Sequence, residues 1–372
     1  MKYRTSLSLH RASDGAFSSW SLDSCTLLDG RIELVTTSEA LSPVIPAEFP
    51  FSACVPSWNA ELSPGCYLEL FLRVRSGEHW SPWVSMGQWA PLDGNFKRHS
   101  VAGQEHEELR VVTDTLETKL PADAFQAKFM LHADCDTSKN EPCSGHASIR
   151  AFSLACSDPK PTVDSLQSVS QAGSTLPSGC VIGKVPQCSQ MVYPNGGNVW
   201  CSPTSVSMVL GYWRGDEGPC ESRVRAAVAG VYDHVFDGHG NWSFNVAYAG
   251  SVVGMEAYVA RFTGLDRLEP WIAAGVPIVL SVSWNNEEGR LLSAAPVVKS
   301  AGHLTTLVGF DEQGNAVMNE PASPSNETVR RVYDRRELET RWLCASGGTA
   351  YIIFPSGSGK SDLAENFAKS VF

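Results

Sequence analysis

A change of texture across one short segment constrains this chain more than any other feature. Residues 157–179, SDPKPTVDSLQSVSQAGSTLPSG, are poor in aromatic side chains and rich in Ser, Pro, Gly and Thr. Such a stretch buries too little apolar surface to offset the entropy of ordering it, and it reads as a linker. Before it the chain reads as strands only; after it, as helices followed by strands. At roughly 100–200 residues per domain, 372 residues accommodate the two domains this division implies. The expected organisation is a β domain over 1–156, a linker over 157–180, a second domain over 181–357 and a tail over 358–372.

The β character of the first part rests on period-two alternation. In CYLELFLRVRSGEHW, Leu68, Leu70, Leu72 and Val74 fall on one face and Glu69, Phe71, Arg73 and Arg75 on the other, before a turn at Ser76-Gly77. Similar runs occur at RIELVTT, ELRVVTDTLETKL, AFQAKFMLHAD and ASIRAFSLAC, with no helical run of comparable strength between them. The expectation is an all-β sandwich, jelly-roll-like. In the second part a helix is expected from Ser202-Pro203-Thr204, with others over MEAYVARFTG and DRLEPWIAAG. Strands are expected at PIVLSVSW, HLTTLVGF, NAVMNEP and TAYIIFP. Helices first and an antiparallel sheet second is an α+β order.

Charge and composition exclude several function classes. With 40 acidic against 29 basic side chains the net charge is −11, and no Lys/Arg run is dense enough to hold a phosphate backbone, so no nucleic-acid partner is expected. No stretch reaches the roughly 18–20 apolar residues of a membrane span. The first residues, MKYRTSLSLHRASDGAF, contain no apolar signal-peptide region, so the cytoplasm is the default expectation. Eleven cysteines are an odd number, which leaves at least one unpaired within the chain. Cys54/Cys66 and Cys135/Cys143 enclose short loops and are candidate disulfides if the protein is exported. There is no CxxC pair and no His/Cys spacing typical of zinc, so no metal is expected.

The chemistry concentrates around Cys201. It follows a Gly/Asn-rich loop and opens a helix through Ser-Pro-Thr-Ser, where Pro203 loses no useful N–H and Ser202 or Thr204 can cap. Free N–H groups and the positive dipole end of a helix favour thiolate over thiol, the condition for a nucleophile. The Cys201 N–H is also available to a developing oxyanion. A base is needed, and His303 stands at the mouth of a strand whose hairpin return ends in Asn319-Glu320-Pro321. Strand ends in a hairpin lie opposite one another, so His303 meets the Asn319/Glu320 step. Adjacent residues point to opposite faces, so only one of the two can orient the imidazole.

These stretches, VPQCSQ, WCSPTSVSMVLGYW, GHLTTLVGF and VMNEPA, resemble the papain-like cysteine peptidases. The specific branch is the one related to the leader-cleaving domains of bacterial bacteriocin exporters, cysteine-peptidase family thirty-nine. The resemblance covers about residues 181–357. It implies a papain-like domain, Cys201 as nucleophile, His303 as base and a glutamine in the oxyanion hole, which the VPQxSQ frame places at Gln190, with Gln187 the alternative. The family shows Asp-Pro where this chain has Glu320-Pro321; the Pro register favours Glu320 as third residue, with Asn319 open as a papain-like choice.

The expected function is therefore a cofactor-independent thiol hydrolase acting on a peptide or protein through Cys201, His303 and Glu320 or Asn319. Two other readings use the same features. One is a catalytically impaired binding protein recognising glycan or peptide through the β domain, where Trp58, Trp80, Trp83 and Trp89 cluster. A core role for these tryptophans is the simpler reading. The other is an acyltransferase or deamidase on the same triad. His234 and His239 are read as part of a loop lining the cleft rather than as metal ligands.

Overall fold

The structure is a computed structural model and describes residues 3–133, 145–167, 179–360 and 363. Cys135 and Cys143, residues 168–178 of the linker, and residues 361–362 and 364–372 of the tail lie outside the described residues. The chain divides into two compact units, one of Ser6–Asp158 with Ala229–Val253 and one of Met1–Thr5, Pro159–Val228 and Gly254–Phe372.

In the first unit, twelve strands between Thr5 and Ser157 join into one hydrogen-bonded sheet. The alternation read at Leu68–Val74 is realised: these four side chains are buried, while Phe71, Arg73 and Arg75 are only partly covered. Ile45–Leu62 and Thr115–Ala133 are long strands that change pairing partners along their length, with register shifts near Ala122. Such bulges bend a strand and raise its local twist, which lets a continuous sheet curve around one core. Trp20, Phe129, Phe152, Trp58 and Trp89 lie in that core.

The core also takes in a helix from far along the chain. Trp242–Ser251 is capped by Asn241, whose side chain accepts from the Phe244 N–H at 3.0 Å. Phe244 and Ala247 are fully buried in the β core, Phe244 meeting Trp58 edge to face. The Ser243 hydroxyl donates to the Pro56 carbonyl at 2.7 Å. The expectation of one domain in chain order over 181–357 therefore does not match this division: Ala229–Val253 groups with the β-rich unit, because the apolar face of its helix is buried there.

The second unit is built on a six-stranded antiparallel sheet in the order Met255–Arg261, Thr349–Pro355, Ile278–Asn285, Lys299–Phe310, Ala316–Asn319, Arg330–Tyr333. Strands expected at PIVLSVSW, HLTTLVGF, NAVMNEP and TAYIIFP are all present. MEAYVARFTG, read as a helix, instead begins with a strand whose seven residues are all buried. A short run that is buried throughout, Glu256 and Arg261 included, lacks the in–out alternation that separates the two states, and pairing with Thr349–Pro355 decides it.

The cysteine helix, Cys201–Arg214, packs on this sheet through polar anchors. The Ser205 hydroxyl donates to the Leu304 carbonyl at 3.1 Å, Ser202 Oγ lies 3.0 Å from the Tyr351 hydroxyl, and the Trp213 indole donates to the Ile353 carbonyl at 2.8 Å. Neither Ser202 nor Thr204 caps the helix, because both lie inside its first turn; the cap position is Trp200, which makes no side-chain cap bond. Cys188 and Cys220 form a disulfide. Cys54 and Cys66, a candidate pair in the sequence, are not joined: Cys54 lies across from Cys156 on the neighbouring strand, and Cys66 lies beside Ser63.

Gly250 gives a direct test of the packing of the helix Trp242–Ser251. A Cβ there would lie 2.3 Å from Asn59 Nδ2, and Asn59 is itself buried. Gly250→Ala is expected to destabilise the protein by about 1–3 kcal/mol, despite the better helix propensity of alanine, read as a lower denaturant midpoint.

Candidate active site

The site is built where the cysteine helix meets the middle of the six-stranded sheet. Cys201 is the first residue of its helix, so its N–H has no acceptor within the helix. The strand Lys299–Phe310 is exposed at its start and becomes buried at His303, so the sequence places the imidazole where the strand enters the core. Thr306 pairs with Asn319 on the return strand Ala316–Asn319. Continuing that register sets residue 322 across from His303, Glu320 on the same face and Asn319 on the other.

The side chains follow this parity. His303 Nε2 lies 2.5 Å from Glu320 Oε1, and both residues are buried. With Nε2 on the carboxylate, Nδ1 is the nitrogen left for Cys201, whose thiol lies close enough to feel the imidazolium charge. Asn319 is turned away: its amide donates to the Pro186 carbonyl at 3.0 Å, and its oxygen accepts from Arg330 Nε at 2.7 Å. Of the two candidates for the third position, Glu320 is thus the one on His303, and Asn319 ties the chain near Pro186 to the sheet.

Glu320 carries its charge without solvent, since its exposure is 0%. Its Oε1 also accepts from the Ala322 N–H at 2.8 Å, and its Oε2 accepts from the Tyr333 hydroxyl at 2.9 Å. Burial pushes this carboxyl up, but the charge and hydrogen bond of His303, with the Ala322 and Tyr333 donors, outweigh it and hold the group below the usual carboxylate range. For His303 burial acts downward; the Glu320 and Cys201 charges and hydrogen bonds overcome it and raise the imidazole to about 10. For Cys201 burial acts upward; it is outweighed by the His303 charge, the His303 hydrogen bond and a backbone bond from Leu304, so the thiol is held below its ordinary value. The arrangement favours a thiolate–imidazolium pair at neutral pH.

Gln190 is buried, and its Oε1 has no hydrogen-bond partner. Its backbone N–H donates to the Pro321 carbonyl at 2.8 Å, and the preceding Ser189 hydroxyl donates to the Ser323 carbonyl at 2.5 Å. The glutamine loop is therefore laced to the loop that follows Glu320, and the Cys188–Cys220 disulfide anchors it two residues earlier. Gln187, the alternative, is exposed.

Two residues at the site escaped the sequence reading. Trp284 meets the His303 ring edge to face at 5.2 Å and donates its indole N–H to the Val297 carbonyl. Tyr333, on the strand beyond the return strand, is fully buried against Glu320. A tryptophan at the end of a strand expected to neighbour that of His303 was a usable signal for the first. Tyr333 had none, because the strand Arg330–Tyr333 was not expected.

Among the described residues no cluster of His, Cys, Asp or Glu has the makings of a metal site, and no helix is long and apolar enough to cross a membrane. His234 bonds Asp93 within the β-rich unit at 2.7 Å, and His239 packs against Tyr232 there. Trp58 and Trp89 are core residues. Trp80 and Trp83 are partly exposed, but the Arg73 guanidinium lies over both rings, at 4.7 and 4.8 Å.

A cysteine at a helix start, near a strand histidine that is hydrogen bonded to a buried carboxylate, brings together the residue types a thiol nucleophile requires. Residues 182–350 match the Peptidase_C39 like family, and residues 28–144 match the Peptidase C39 N-terminal domain. Two separate stretches of the chain are thus similar to domains of C39-like cysteine peptidases. A solved structure described as a candidate C39-like peptidase from Bacillus anthracis is 15% identical over 48% of this chain and 98% of its own, with a TM-score of 0.34. No curated protein matches the chain.

His303→Ala removes both the charge and the hydrogen bond that counter burial of the thiol. The pH midpoint for alkylation of Cys201 by iodoacetamide, followed by mass spectrometry, is expected to move upward toward or beyond 9.0, the ordinary thiol value.

Proposed function

We propose that this protein is a cysteine peptidase that hydrolyses an amide bond in a peptide or protein, with Cys201 as nucleophile, His303 as acid and base, and Glu320 as the group that orients His303. The observation that carries this reading is the buried His303–Glu320 pair, hydrogen bonded at 2.5 Å, with the partly buried Cys201 at its helix start close enough for the imidazolium charge to act on the thiol. The β-rich unit, whose bulged sheet curves over one core, is read as a sandwich that accompanies the catalytic domain.

In the first half-reaction the thiolate attacks the carbonyl carbon and the carbonyl π electrons move onto oxygen. The Cys201 N–H and the Gln190 side-chain amide donate to that oxyanion. The imidazolium gives its Nδ1 proton to the leaving nitrogen as the C–N bond breaks, leaving a thioester. In the second, neutral His303 takes a proton from water, the hydroxide adds to the thioester, and the C–S bond breaks to release the acid and restore the thiolate. Glu320 stays ionised throughout; its task is to fix the ring and to stabilise the imidazolium.

The pH dependence has a definite sign. Cys201 is held below 9.0 and His303 is raised to about 10, so the reactive pair exists between the two. Turnover is expected to rise through the lowered thiol value and to fall as His303 loses its proton near 10. A fluorogenic peptide library assayed across pH reads this out. Cys201→Ala should abolish hydrolysis, and hydrolysis retained by that variant would overturn the proposal. Gln190→Ala is expected to lower kcat by about 100-fold or more with little change in folding. Product analysis with and without an added peptide amine separates hydrolysis from transfer: free acid in both cases marks a hydrolase, a new amide marks a transferase.

A further inference from the structure

Outside the Cys201–His303–Glu320 chain, the buried polar group that reaches furthest into the site is the Tyr333 hydroxyl. Glu320 has two oxygens and limited room. Oε1 serves His303 at 2.5 Å and the Ala322 N–H at 2.8 Å. Oε2 serves Tyr333 at 2.9 Å. Glutamate has one more rotatable bond than aspartate, so a carboxylate on this longer stem has more ways to miss the imidazole. A donor on the far oxygen removes that freedom.

We infer that Tyr333 is a positioning residue: its hydroxyl fixes the Glu320 carboxylate so that Oε1 faces His303 Nε2, and it keeps Glu320 as an acceptor. The inference deepens the thiol-hydrolase reading and rests on it for its effect on turnover. The placement follows from the sheet. Tyr333 pairs with Ala316 at the end of the outermost strand, and both Tyr333 and Glu320 have 0% exposure. Water cannot take the place of the hydroxyl without opening the core. The groups around Glu320 are few. They are His303 from its own strand, the Ala322 N–H from the following loop, Tyr333, and beyond His303 the Cys201 sulfur. Arg331, two residues from Tyr333, spends its guanidinium on Ser323 Oγ and the Ala294 carbonyl. Burial and the Glu320 charge both push the phenol above its ordinary value, so it remains a donor over the working range.

Tyr333→Phe deletes only the hydroxyl. Against the best peptide from the fluorogenic library, kcat is expected to fall about tenfold with KM unchanged. The same substitution made on top of Glu320→Gln should cost almost nothing further, because Tyr333 acts through the carboxylate. A second readout needs no substrate. In 13C-glutamate-labelled protein, the Glu320 resonance, assigned by its loss in Glu320→Gln, should titrate at higher pH in Tyr333→Phe. The thermal midpoint of each variant separates these effects from general unfolding. Equal kcat loss in the two backgrounds, or an unmoved Glu320 titration, would overturn the role assigned to Tyr333. Hydrolysis surviving in Cys201→Ala would instead remove the thiol-hydrolase reading, while the Glu320 titration would still decide on Tyr333.

Discussion

A carboxylate with no access to water is the constraint on which the rest of the site depends. An isolated buried charge is too costly to persist, so Glu320 remains ionised only because His303, a backbone N–H and a phenol surround it. Once that anion is in place the imidazole keeps its proton, and once the imidazole is charged the thiol loses its own. The electrostatics thus couple the three groups in both directions along the chain of residues, with Glu320 the deepest and Cys201 the nearest to solvent. The fold serves this order: three adjacent strands supply His303, the approach to Glu320, and Tyr333, and the helix start brings the sulfur to the remaining ring nitrogen.

Much of this was legible in the sequence, and the parts that were not share a cause. Cys201 and His303 could be placed because local signals, a Pro-containing helix start and a strand entering the core, act within a few residues. The choice between Asn319 and Glu320 depends on the pairing of Thr306 with Asn319, beyond which a register shift interrupts the ladder between Leu307 and Gly309. Irregularities of that kind leave no mark in composition or spacing. Tyr333 lay further out, since its position depends on a second register, between Ala316 and Tyr333.

The longer-range failures are of the same sort. MEAYVAR is buried at every position, so burial does not alternate along it and only its partner strand reveals its state. The helix Trp242–Ser251, buried on nearly every side, was not expected, and nothing local says that Phe244 belongs beside Trp58, nearly two hundred residues earlier. Cysteine pairing is similar: Cys54 and Cys66 close a short loop in the sequence but are not joined, whereas a bridge joins Cys188 to Cys220 across 32 residues.

That bridge has a practical consequence for anyone handling the protein. Cys201 must be a free thiolate to react, whereas the loop bearing Gln190 is anchored two residues away by sulfurs that must stay oxidised. One molecule therefore asks opposite things of its surroundings. A mild thiol that keeps Cys201 reduced preserves the nucleophile of the proposed mechanism, while a reductant strong enough to open Cys188–Cys220 frees the loop that carries Gln190. Storage conditions chosen for an ordinary thiol enzyme would be the wrong ones here.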